Sequence, residues 1–201
     1  MAAPFDPARS VTFDLNRGHV ELADGEAHVL VPVAALAAFA AGESGARALG
    51  HAIGVGAIGR VAVHIAREGD PRRAIDGIRG ASLETVVELL GGELAVVGLG
   101  SLRVERWGSA LLFVLDPHTL DERCDEMVCG VFEGALASVA GRDVHALVVD
   151  REGGGGQLRV LVANERAIDR ARRLVNVGAF FTEIISMLHD SVLQPSTSEP
   201  S

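Results

Sequence analysis

Apolar and polar residues alternate in short runs at the start of the chain. Residues 11–15 and 19–22 read as strands, and Ala23-Asp24-Gly25-Glu26 supplies turn chemistry before residues 28–33, so a hairpin or small β element is expected there. Residues 33–41 are alanine-rich and helical until Gly42-Glu43-Ser44-Gly45 breaks them. A glycine-spotted helix resumes over residues 46–67 and ends at the Gly69-Asp70-Pro71 turn. Ser82 is a helix cap, and Thr85-Val86-Val87-Glu88-Leu89-Leu90 gives one or two turns that Gly91-Gly92 should stop. Three strands are then expected, over residues 94–99, 102–107 and 110–115; the middle one alternates in a way that suits one wet face.

The second half has a stronger rhythm. Asp116-Pro117 ends a strand, Thr119 caps a helix over residues 120–140, and Leu120, Met127, Val128, Val131, Ala135 and Leu136 fall near one stripe of it. Gly141-Arg142 turns the chain into a strand over residues 144–149, and Gly153-Gly154-Gly155-Gly156 turns it again into residues 158–162. Asn164 caps a last helix that runs to about His189. Its second half carries Phe180, Phe181, Ile184, Ile185 and Leu188, more apolar surface than one amphipathic face needs, so these five residues are expected to cross the core or meet another subunit. Residues 1–9 read as a flexible end, 10–190 as one globular domain and 191–201 as a disordered Ser/Pro-rich tail.

Composition narrows the function classes. The chain of 201 residues has a net charge of −9 and no dense basic cluster, which disfavours nucleic acid and anionic membrane surfaces as partners. The longest apolar run, residues 30–41, contains Pro32 and is short for a membrane span, and no basic leader opens the chain, so a cytoplasmic location is expected. Lysine and tyrosine are absent, and all 18 basic residues are arginine. That removes Schiff-base chemistry, a Walker-type phosphate lysine and a tyrosine acid.

Candidate chemistry is sparse. Gly54-Val55-Gly56-Ala57-Ile58-Gly59 matches a dinucleotide fingerprint literally, but no strand precedes it and Asp76 lies beyond a Pro-containing turn. Gly50, Gly54 and Gly59 are expected instead to let a helix approach a neighbour. His118 with Asp121, Glu122, Cys124 and Asp125 is the densest set of potential ligands, although acids in a first helical turn are favoured by the macrodipole alone. Cys124 and Cys129 sit about 140° apart on a helix, a poor geometry for a disulfide, and read as small buried residues. No GxSxG elbow or HExxH pair occurs, and Asp150 and Glu152 stand together at a hairpin tip. No catalytic residue, metal site or cofactor is assigned.

The series Cys129-Gly130, Gly134, Leu136 and Gly141-Arg142, with the hairpin that follows, resembles the 4-vinyl reductase domain and the wider group that includes the core subunits of the TRAPP tethering complex. The resemblance spans residues 33–162. It implies an α+β (mixed α/β) domain with helices packed on an antiparallel sheet, often dimeric, serving as a small-molecule sensor or an assembly subunit. Many such domains bind zinc through cysteines around the last hairpin, which residues 150–158 lack, and a related haem-binding fold needs a tyrosine motif this chain cannot supply. The expectation is therefore a non-catalytic, homodimeric protein that binds a small apolar ligand or a protein partner in a regulatory role. Ile53, Ile58 and His64 would form one wall of the pocket, with Trp107 and Phe132 facing it. A structural assembly subunit is the alternative, while a reductase or dinucleotide-binding protein lacks supporting motifs.

Overall fold

The computed structural model describes residues 5–16, 18–41, 45–65, 71–107, 110–116, 118–152 and 156–193. Strands β1 (Val11–Asp14), β2 (His19–Leu22) and β3 (Ala27–His28) form a small antiparallel sheet at the N-terminus. The expected third strand is cut to two residues, because Pro32 leads directly into helix α1 (Val33–Ala40). Helix α2 (Ala46–Ile65) follows; the end expected at residue 67 lies outside the described residues. Ahead of the short helix expected from Ser82 stands an unanticipated helix, α3 (Pro71–Gly80), with proline at its first position, where a missing N–H costs nothing.

Helix α4 (Leu83–Val96) overturns two expectations. Ser82 does cap it, its side chain accepting from the Thr85 amide, but Gly91-Gly92 does not end it. Val86, Leu89, Leu90, Glu93 and Leu94 are buried at helical spacing, and this stripe carries the helix through both glycines. Gly91 faces Leu102 and Gly92 sits beneath the Phe5 ring, so both are contact glycines. The stop comes at Gly98, whose φ of 81° is left-handed, and the strand expected over residues 94–99 does not form.

Strands β4 (Ser101–Trp107), β5 (Ala110–Asp116), β6 (His145–Arg151) and β7 (Leu158–Ala163) form a second antiparallel sheet in the order β4-β5-β7-β6. The β6–β7 hairpin closes with the Glu152 amide donating to the Gln157 carbonyl at 2.8 Å; Gly153 to Gly155 lie outside the described residues. Between β5 and β6 runs helix α5 (Asp125–Ala140), preceded by a 3-10 turn at Glu122–Cys124. Thr119 does not cap the helix: Asp121 caps the 3-10 turn, its carboxylate accepting from the Arg123 amide, and Cys124 at the N-cap of α5 makes no side-chain capping bond.

The expected long C-terminal helix is two helices, α6 (Glu165–Asn176) and α7 (Phe181–Leu193). Asn164 caps the first as expected. Gly178, at φ 77°, reverses the chain, the Ala179 amide donates back to the Leu174 carbonyl, and the Glu183 side chain accepts from the Phe180 amide to start α7. Helix α7 extends three residues into the segment expected as a tail, while residues 194–201 lie outside the description.

The architecture is α+β, with helices on both faces of the four-stranded sheet. Phe113, Leu115, Leu158, Val160 and Ala146 face α2, α4 and α5. Leu112, Val149 and Leu161 face Ile168 and Ala171 of α6 and Ile184, Ile185 and Leu188 of α7. Of the two expectations for those last three residues, crossing the core or meeting another subunit, the reversal at Gly178 realises the first by folding them onto their own sheet. Phe181 is half-buried and only Phe180 of the five stays largely exposed.

Helices α2 and α5 cross on glycine. A Cβ on Gly50 would lie 1.9 Å from the Met127 carbonyl oxygen, and one on Gly54 2.0 Å from that of Val131. In return, Gly130 would meet the Arg47 oxygen at 2.1 Å and Gly134 the His51 oxygen at 2.2 Å. Gly59 differs from the expectation for it: its position faces open space. Arg47 locks the crossing, reaching Glu126 and Glu133 at 2.5 Å each and the Ala146 carbonyl at 3.1 Å. Helix α2 is long and apolar enough to cross a membrane by length and composition, yet its glycine face is fully used against α5.

Candidate functional site

Apolar residues fill the layer between α2, α4, α5 and the sheet, so buried polar groups stand out. Among the described residues Ser10, Arg60, Glu93 and His118 are the buried polar ones. Arg60 projects from α2 into the stripe of α4, where Glu93 is completely buried. The Arg60 Nε donates to Glu93 Oε2 at 2.5 Å, and its Nη1 to Asp24 Oδ2 at 3.0 Å, from the turn between β2 and β3. Burial pushes the Asp24 carboxyl up, but the Glu26 amide and the Arg60 guanidinium outweigh it and hold the group below its ordinary value. One helical turn beyond Arg60, His64 Nε2 stands 3.3 Å from Glu93 Oε1, and the Phe5 ring meets the imidazole edge-on at 5.9 Å.

His118 is the second inclusion. It follows β5, is 3% exposed, and neither ring nitrogen has a well-formed hydrogen-bond partner among the described residues. Burial and the charge of Arg151 push its pKa down, against a smaller upward pull from the Leu120 backbone and from Asp125 and Asp116. An unmatched imidazole inside a core costs about 1–3 kcal/mol, so it is not a neutral filler. Arg151 is itself engaged, donating to the Leu120 carbonyl at 2.8 Å and pairing with Asp125, whose carboxyl burial pushes up.

The residues expected around His118 do not assemble as a metal site: among the described residues no group of three or more His, Cys, Asp or Glu side chains is placed to hold an ion. Asp121 turns outward to Arg123. Cys124 and Cys129 are free and buried, as expected of small core residues, and burial pushes the Cys129 thiol up to about 12. The Gly54–Gly59 fingerprint lies inside α2, with no loop or helix N-terminus to receive a pyrophosphate.

Of the expected pocket, Ile58 and Phe132 are buried and Ile53 half-buried in one core cluster, with the Phe132 ring 5.2 Å from that of Phe113. His64 lies at the rim of that layer on the Glu93 side. Trp107 does not face them. It sits on the other side of the sheet, edge-on to Phe181 at 5.6 Å, because odd-numbered residues of β4 point away from Leu102 and Val104. There Arg159 stacks over Phe181 and takes Asp150 at 2.6 Å and Glu105 and Glu152 at 3.3 Å each. Sequence reasoning missed Arg60 and Glu93, though each was marked: Arg60 is the lone charge in the apolar stretch from residue 48 to 65, and Glu93 lies in an otherwise apolar run.

No protein-family model matches the chain, and no curated protein does. Among solved structures it is similar to the crystal structure of the phenol-responsive sensory domain of the transcription activator PoxR with phenol. The match has a TM-score of 0.55 at 17% identity and covers 94% of each chain. At that identity the likeness establishes the shared fold, helices flanking an antiparallel sheet from one end to the other.

Proposed function

We propose that this chain is a non-catalytic sensory domain that takes a small, largely apolar molecule with one hydrogen-bonding group. The molecule enters the layer between α2, α5 and the sheet, and its presence is passed on as a change in stability or contacts. The observation that carries this reading is the unmatched imidazole of His118, buried between the end of β5 and the start of α5. A neutral imidazole offers one donor and one acceptor, which suits a hydroxyl group at the end of an apolar body. The end-to-end likeness to a phenol-responsive sensory domain supports it and makes phenol the natural first probe. The descent suggested by the resemblance to 4-vinyl reductase and TRAPP-like proteins belongs to the same reading, supported by Gly130 and Gly134 serving as close-contact positions.

Thermal unfolding in increasing phenol tests it. A ligand at a hundred times its dissociation constant stabilises by about 2.7 kcal/mol, which raises the Tm of a chain this size by roughly 5–10 °C. The wild type should show a saturable rise and His118→Phe should not, while retaining its fold by circular dichroism. If neither phenol nor any other small aromatic alcohol shifts the wild type, and native mass spectrometry finds the protein empty, the sensory reading fails.

A further inference from the structure

Helix α6 buries one side and carries a basic stripe on the other. Ile168 and Ala171 pack onto the sheet, with Leu174 and Val175 half-buried beside them. At about 100° per residue, Arg166, Arg170 and Arg173 fall within roughly 60° of one another on the opposite side, and Val177 continues their line. All three arginines are exposed. Arg47, Arg60, Arg123, Arg151 and Arg159 each hold a carboxylate, and on α6 itself Asp169 goes to Arg172 at 3.5 Å. Arg166, Arg170 and Arg173 hold none among the described residues, in a chain where acids outnumber arginines 27 to 18. Helix stability does not account for the stripe. A cation in the first turn, as Arg166 is, opposes the macrodipole, and like charges three or four residues apart repel. The stripe ends in apolar side chains: Val177 is 78% and Phe180 74% exposed, and the Phe180 amide, donating to the Glu183 side chain at 3.0 Å, fixes that end at the start of α7.

We propose that this ridge, from Arg166 to Phe180, docks a short acidic segment of a partner protein, with carboxylates one helical turn apart over the arginines and an apolar residue over Val177 and Phe180. Arginine takes a carboxylate through two parallel N–H donors, and arginine and aromatic residues are the types enriched where proteins meet. The three guanidinium groups span about 10 Å of helix, so a partner helix lying along α6 sets carboxylates from successive turns against them. The rest of the surface decides between kinds of anion. A nucleic acid or an anionic bilayer extends well past one helix and meets the other charges of a chain at net −9, whereas a short segment meets α6 alone. The ridge lies on the sheet face turned away from α2 and α5, and the inference does not rest on ligand binding.

Fluorescence anisotropy with the full chain tests it. The probe is a labelled helical peptide with three glutamates one turn apart and a leucine beyond them at each end. It should bind, more weakly as salt rises, and the same peptide with glutamines should not. Arg170→Gln combined with Arg173→Gln should weaken binding about tenfold, while Arg172→Gln, a charge change on the same helix but off the ridge, should alter it less than about twofold. Phe180→Ser should weaken the peptide with leucines and leave unchanged a version with serines in their place. All these side chains are exposed, so the variants should keep the wild-type far-ultraviolet spectrum. No binding of the glutamate peptide, a loss in Arg172→Gln equal to that of the double variant, or an unchanged Phe180→Ser would each overturn the assignment. So would tighter binding of a short DNA duplex, or of vesicles of equal parts phosphatidylcholine and phosphatidylserine.

Discussion

Two alanine substitutions in one helix should move stability in opposite directions. Gly54→Ala and Gly59→Ala lie five residues apart in α2, within the same literal GxGxxG motif. Each gains about 0.8–1 kcal/mol from replacing glycine in a helix interior. At Gly59 nothing lies within 4 Å of the added carbon, so that gain stands and the Tm rises by roughly 2–4 °C. At Gly54 the carbon would lie 2.0 Å from the Val131 carbonyl oxygen and 2.8 Å from the Ala135 amide nitrogen, both backbone atoms that cannot rotate away. Relief requires α2 and α5 to separate by more than 1 Å along their crossing, which also stretches the Arg47 bridges to Glu126 and Glu133. Overpacking of this kind costs about 1–3 kcal/mol and more where backbone meets backbone. The net loss is on the order of 2 kcal/mol, a fall in Tm of roughly 4–8 °C. Differential scanning calorimetry of both variants beside the wild type reads the signs directly. If both variants gain stability, or both lose it, the glycine crossing does not hold the helices as described.

Removing Arg60 as Arg60→Ala should destabilise by about 3–5 kcal/mol, because Glu93 would keep a fully buried, unpaired carboxylate; urea unfolding measures it, and a loss below 1 kcal/mol would show that the pair is not buried. The acid limb of stability should depend on His118. Its folded pKa lies below the ordinary value and its unfolded one near 6.5, so as pH falls through about 6.5 the unfolded chain takes the proton first and stability is lost. His118→Phe should flatten the change in Tm between pH 7 and pH 5, and parallel curves would refute this. Both cysteines should resist iodoacetamide at pH 8 in the native protein and react fully in guanidinium, as counted by intact mass, because burial disfavours both thiolates; prompt native labelling would contradict the packing.

Local chemistry was readable where one residue does one job. Ser82 and Asn164 cap helices because a short side chain just ahead of an apolar stripe reaches the third amide on, and the β6–β7 hairpin follows from alternation broken by glycine. Glycine itself is ambiguous. Gly91-Gly92 and Gly98 look alike in sequence, yet the first two lie against Leu102 and Phe5 and only the third takes a left-handed φ. Gly178 was the missed counterpart: its left-handed turn splits a run of apolar residues that spacing alone joins into one helix. The site was less legible. Ile58 and Phe132 fall in one layer because both carry buried faces of packed helices, but which side of a sheet Trp107 occupies depends on the register of β4, and no spacing reveals that Glu93 meets Arg60 across two helices.

The crossing of α2 and α5 also sets a timetable for the chain. Arg47 and Glu133, which clasp it, are 86 residues apart in sequence, and the four glycines gain their contacts only when the two backbones are already seated. Contacts so remote and so short-ranged form late on the folding route. Strain introduced there should accordingly leave the refolding rate almost untouched and appear as faster unfolding, so that the native protein's lifetime, more than its speed of assembly, is what these glycines protect.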